Sequence, residues 1–197
     1  MKPDAANCKA YFNGLAAGWD AKDASCPAWL GAVAFLCGAR PGARVLDIAC
    51  GTGVMFPALL ERGAARVTGV DSAEGMAAIA RSKFAAESRI DVICADFLGL
   101  DAGPFDVALL YNAYPHFPDK AALLRKAASL LPPGGRFTIA HGMGREALNR
   151  HHGNVPGGLS TPLGPASTEA AAWAPYFQVD MQMDTPELYL VSGVQAR

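Results

Sequence analysis

Three aspartates, a pair of glycines and four histidines are the residues of this 197-residue chain whose types and spacing suit chemistry. Asp47 lies in the apolar run Arg44-Val-Leu-Asp-Ile-Ala49 and is followed by Gly51-Thr-Gly53. Glycines let a backbone turn tightly and approach a ligand, and the N–H groups of a helix start offer donors to an anion. Asp71 closes a second apolar run about 20 residues after the glycines, the place from which a carboxylate accepts hydrogen bonds from ribose hydroxyls. Asp96 ends a third run. His116, His141, His151 and His152 all fall in the C-terminal half, and imidazole is the side chain best suited to proton transfer near neutral pH.

A bare Gly-x-Gly also occurs at ordinary tight turns and in nicotinamide-binding folds. Here the third glycine of the dinucleotide fingerprint is replaced by Phe56, which argues against a nicotinamide cofactor.

The elements that position these residues follow from periodicity. From Ala43 onward short apolar runs alternate with helical patterns, the signature of βαβ units and a parallel sheet. Strands are expected at 44–49, 66–71, 90–94, 105–111 and 136–140. Helices are expected at 54–62, ended by Gly63; at 74–86, with Ser72 as N-cap; and at 119–131, with Ala121, Leu124, Ala128 and Leu131 as its apolar stripe. Val179, Met181 and Met183 alternate with polar residues as in a half-buried strand, and 187–194 forms its antiparallel partner. A mobile loop at 153–165 is expected between two short helices, the second at 167–177.

Apolar residues make up 51% of the chain, with no long uninterrupted apolar stretch, which points to one globular domain with no membrane role. The first residues lack the apolar core of a secretory signal, and five cysteines without a CxxC pair suit free thiols, so a cytoplasmic location is expected. A formal charge of −1 offers no attraction for a phosphate backbone.

Taken together, Val45-Leu-Asp-Ile-Ala-Cys-Gly-Thr-Gly53, Gly69-Val-Asp-Ser72, Ala95-Asp-Phe97, Phe105-Asp-Val-Ala108 and Leu131-Pro-Pro-Gly-Gly135 resemble the successive motifs of the class I S-adenosylmethionine-dependent methyltransferases. The resemblance runs roughly from Tyr11 to Arg197. It implies a doubly wound, Rossmann-like α/β sheet of seven strands, order 3-2-1-4-5-7-6, with an antiparallel last strand. Residues 1–40 would form a helical cap, 43–142 the cofactor-binding core, and 143–197 the acceptor-side helices and hairpin. It further implies that Asp47, Gly51 and Gly53 surround the methionine moiety and that Asp71 holds the ribose. Ser72 and Met76 would line the adenine side, while Asp96 and Phe97 would contact the adenine itself. Tyr111 and Asn112 would lie beneath the sulfonium. Tyr11, Phe12 and Trp19 resemble the aromatic segment that closes over the cofactor, with plain core packing as the alternative.

The cofactor on this reading is S-adenosylmethionine, leaving as S-adenosylhomocysteine, and the expected reaction is in-line displacement onto a small-molecule acceptor. His116 and His141 follow adjacent strands and are the candidate catalytic residues. Two other readings stand beside this one: imidazoles that are exposed or simply hydrogen-bonded, and a metal held with His151 or His152, which no His or Cys spacing supports. Asn112-Ala-Tyr-Pro115 lacks the paired prolines of nucleic-acid amino-methyltransferases, so no nucleic-acid partner is expected. A cofactor-binding module that transfers nothing is the alternative function.

Overall fold

A computed structural model describes residues 4–22, 26–153 and 159–196. Seven strands form one sheet: β1 (Arg44–Ile48), β2 (Arg66–Asp71), β3 (Ile90–Cys94), β4 (Val107–Tyr111), β5 (Arg136–His141), β6 (Phe177–Asp184) and β7 (Tyr189–Gln195). Their order is β3-β2-β1-β4-β5-β7-β6, as the resemblance implied. The first five are parallel, and β7 runs antiparallel between β5 and β6. Every residue of β4 is buried and only Arg44 of β1 is exposed, because helices cover both faces of the sheet centre. The edge strand β6 alternates instead, its polar residues facing water.

The helices are α1 (Ala5–Leu15), α2 (Pro27–Leu36), α3 (Phe56–Glu61), α4 (Glu74–Lys83), α5 (Lys120–Ser129), α6 (Arg145–His152) and α7 (Ala166–Trp173). Short 3-10 turns occupy Ala16–Gly18, Asp20–Lys22, Phe97–Gly99 and Tyr114–His116. One core lies between α5, α7 and the sheet, and contains Leu123, Leu124, Ala127, Trp173 and Phe137. The other holds α2 and α3 against the opposite face, around Val33, Phe56, Leu59 and Val107.

Several local expectations need correction. Helix α3 starts two residues later than its apolar pattern suggests, because the chain is still turning through Gly53, whose φ is +86°. It still ends at Gly63, φ +88°. The N-cap of α4 is Ala73, not Ser72; the Ala73 N–H is bonded by the Asp71 carboxylate (2.8 Å). Helix α5 turns Leu123 and Leu124 inward, with Ala127 on the same side, and leaves Ala121 exposed, since burying the two leucines removes the most apolar area from water. The last helix stops at Trp173, short of Pro175, and Phe177 already belongs to β6. Of the loop expected at 153–165, residues 154–158 lie outside the described residues.

Candidate active site at the carboxyl edge of the sheet

Strand order reverses between β1 and β4, which opens a crevice at their carboxyl ends where α/β sheets bind ligands. Two non-glycine residues are left-handed there, Ala49 (φ 53°) after β1 and Asn112 (φ 56°) after β4. Such backbone is costly for a side chain bearing a Cβ, and it concentrates at functional sites.

Asp47 reaches this edge from β1 and is 1% exposed, and neither of its carboxylate oxygens has a hydrogen-bond partner among the described residues. Burial, reinforced by the nearby Asp71 charge, pushes its carboxyl up to about 8. Asp71 ends β2 and accepts hydrogen bonds from the N–H of Ala73 (2.8 Å) and of Gly51 (2.9 Å). Burial raises its carboxyl too, and those two bonds oppose the rise. Each oxygen keeps a lone pair for a further donor. A ligand that suits this pair brings donors and positive charge, as the ammonium, sulfonium and ribose hydroxyls of S-adenosylmethionine do; the residues therefore fit that cofactor.

The glycine loop explains the missing third glycine. Gly51, at φ +56°, has nothing within 4 Å of where a Cβ would stand, so its outer side is open. A Cβ at Gly53 would stand 2.6 Å from the Phe56 ring, and one at Gly69 in β2 would stand 2.5 Å from it. Phe56 thus occupies the space that two glycines vacate, and α3 packs closely through a large side chain over small neighbours.

The N-terminal segment lies over this loop. Thr52 donates its hydroxyl to Asp20 (2.6 Å), to which Lys83 also donates (2.9 Å). The Gly75 N–H donates to Asn13 (2.9 Å), and Lys9 pairs with Glu74 (2.8 Å). Met76 is buried with Ala16 and Ala73 beneath half-buried Phe12, Trp19 and Ile79. Tyr11 is half-buried and meets Phe12 edge-on at 5.4 Å.

Ser72 is exposed at the start of α4. Asp96 is exposed and caps the following turn through the Leu98 N–H (3.0 Å). Phe97 is buried in the main core, edge-on to Phe117 at 6.4 Å. Tyr111 is buried with its hydroxyl against Gly142, and Asn112 accepts the Gly142 N–H (3.0 Å), tying the ends of β4 and β5 together.

The histidines differ in setting. His116 holds Leu159 O at 2.7 Å through Nδ1 and meets the Phe12 ring at 5.0 Å and the His152 ring at 5.1 Å. Since a carbonyl only accepts, Nδ1 carries the proton and Nε2 the lone pair. Burial holds its basicity below the usual imidazole range. His141 is wholly buried, with neither ring nitrogen partnered among the described residues, and burial pushes it down to about 3. His151 is exposed at the end of α6. Among the described residues no group of three His, Cys, Asp or Glu side chains stands close enough to hold a metal ion.

Sequence reasoning missed Lys120, Tyr114 and Glu169. The Tyr114 hydroxyl donates to Glu169 (2.7 Å), while Lys120 lies 3.6 Å from the Tyr114 ring centroid and donates to the Tyr114 carbonyl. Burial lowers Lys120 to about 7. One signal was present in the sequence: a lysine directly after the Asp119 N-cap sits where the helix dipole disfavours a cation.

Residues 45–135 match a family model described as a methyltransferase domain. The ubiquinone biosynthesis O-methyltransferase of Xylella fastidiosa (strain 9a5c) is 38% identical over 104 residues, covering 50% of this chain and 42% of that protein. Its counterpart in Xanthomonas campestris pv. campestris (strain B100) is 37% identical over 107 residues, 52% of this chain and 44% of that one. The chain thus spans less than half the length of these curated relatives. Among solved structures, the putative methyltransferase in complex with the Haloferax volcanii Trm112 activator superposes with TM-score 0.79 at 20% identity, over 94% of this chain and 98% of that one. The magnesium protoporphyrin IX methyltransferase of Synechocystis PCC 6803, solved with bound S-adenosylhomocysteine, gives 0.73 at 19%, over 98% and 100%. With its motifs in order on the seven-stranded sheet and a methyltransferase-domain match across residues 45–135, the chain resembles the class I S-adenosylmethionine-dependent methyltransferases in fold and in motif order.

Proposed function

We propose that the protein transfers a methyl group from S-adenosylmethionine to a small-molecule acceptor. The observation that carries this is the buried Asp47 carboxylate, unpartnered among the described residues, beside Asp71 and the open Gly51 at the strand-order reversal, a group that lacks donors. When bound, the cofactor supplies an electrophilic methyl on a positively charged sulfur, so the chain mainly aligns and desolvates the reactants. Asp71 would take the ribose hydroxyls, and Asp47 would complement the positively charged end. Phe12, touching both the Met76 cluster and His116, would separate the cofactor from water.

His116 is the candidate base. Its Nδ1 bond to Leu159 O fixes the tautomer that leaves Nε2 free to accept an acceptor's proton, and burial keeps the ring neutral at pH 7. His116→Ala should spare binding of S-adenosylhomocysteine and lower turnover by roughly 10²–10⁴ for an acceptor that must lose a proton. Equal turnover in steady-state assays of the two proteins would remove His116 from the reaction.

Calorimetric titration with S-adenosylhomocysteine tests the cofactor assignment directly. Asp71→Ala should weaken binding by about 1.5–3 kcal/mol, the worth of charge-assisted hydrogen bonds. Unchanged affinity would place the cofactor elsewhere. The module that binds without transferring predicts tight binding and no labelled product across a broad acceptor panel.

A further inference from the structure

We infer that, given the transferase reading above, His141, His152 and Lys120 form an acceptor subsite beside His116 that receives a carboxylate. The three groups come from different elements: His141 ends β5, His152 ends α6 and Lys120 begins α5. Lys120 reaches back to the Tyr114–His116 turn that follows β4, His152 meets His116 at its end, and the charges of His152, His116 and Lys120 all act on His141. The rings of His116 and His152 stand 5.1 Å apart. His141 shares its sheet face with Phe137 and Ile139, and its ring lies 6.1 Å from that of Tyr189. Lys120 is anchored on Tyr114, two residues before His116.

Three nitrogens of the group, both of His141 and Nδ1 of His152, are buried without a hydrogen-bond partner among the described residues. Native interiors rarely leave such atoms orphaned, and a ligand is one thing that satisfies them. The electrostatics are one-sided as well. His141 is acted on by His152, His116 and Lys120, and His152 by His116 and His151, with no carboxylate among them. Glu169 acts on Lys120 but already accepts the Tyr114 hydroxyl (2.7 Å). Burial first, and for the two histidines the neighbouring bases second, disfavours the charged forms of these groups, and no anion among the described residues offsets this for His141 or His152.

A carboxylate answers each point. Its two oxygens offer about four acceptor positions to N–H groups arriving from separate elements, and its charge favours the protonated forms of the surrounding bases. An amide of the same shape offers one oxygen and no charge.

The test uses the chain loaded with S-adenosylhomocysteine and matched pairs of probes: propionate and propionamide, benzoate and benzamide, phenylacetate and phenylacetamide. At least one acid should bind about tenfold more tightly than its amide, a margin of one charge-assisted bond. His152→Gln and Lys120→Met should each reduce that ratio to less than about threefold while leaving affinity for S-adenosylhomocysteine unchanged, which also shows that the variants fold. The inference is overturned if S-adenosylhomocysteine binds but no acid outbinds its amide, or if the preference survives both substitutions. Failure of S-adenosylhomocysteine to bind at all would instead overturn the transferase reading beneath it.

Discussion

At the scale of single residues, Asp47 and His141 are both buried polar groups without hydrogen-bond partners among the described residues, and they make opposite demands of pH. Asp47 is raised to about 8, so the folded chain holds a proton that the unfolded chain loses from about pH 4 upward. Its contribution is therefore fully present below that range and is lost as pH rises toward 8. His141 is depressed to about 3, so its contribution is present above about pH 6.5 and is lost as pH falls through that window. Between about pH 4 and 6.5 the two slopes oppose each other. In Asp47→Asn the chain without cofactor should gain stability more steeply over that range than the parent, and should not decline between about pH 6.5 and 8. Urea midpoints at four pH values check this, and parallel curves for the two proteins would show that Asp47 is already charged and solvated. The aspartates themselves were legible from their places at the ends of apolar runs. Lys120 was only marked as unusual by its place in a first helical turn; that it folds inward over Tyr114 depends on the packing of that ring, which no local pattern announces.

At the scale of elements, α3 docks on the sheet through one aromatic ring. A methyl at Gly69 would meet Phe56 at 2.5 Å, and Phe56 is itself fully buried against Phe84 at 5.1 Å. Gly69→Ala should cost about 1–3 kcal/mol through overpacking, and Phe56→Leu should cost a comparable amount by leaving a cavity. The double variant should cost less than the sum, since the smaller leucine makes room for the new methyl. Strict additivity of chemical-denaturation free energies would mean that the two positions do not share a space. The sequence showed only that Phe56 departs from the dinucleotide pattern. Why the departure is tolerated depended on Gly69, 13 residues later in the chain and packed against its ring.

At the scale of the whole molecule, the N-terminal segment, the glycine loop and α4 are joined by hydrogen bonds through Thr52, Asp20, Lys83, Asn13 and Gly75. Cofactor binding should therefore stabilise the molecule as one unit. S-adenosylhomocysteine at a hundredfold its Kd should add about 2.7 kcal/mol to unfolding, and amide exchange should slow in α1 as well as in β1 and β2. Protection confined to the strands would detach the segment from the site. The sequence by itself determined the strand–helix alternation, the glycine turn and the acidic strand ends. These follow from periodicity and from the backbone needs of neighbouring residues, which are local properties. Only the tertiary structure decided which polar groups would be left without partners. His141, His152 and Lys120 are carried by β5, α6 and α5, the last two residues act on the first, and whether a buried nitrogen finds a partner depends on chain that is distant in sequence.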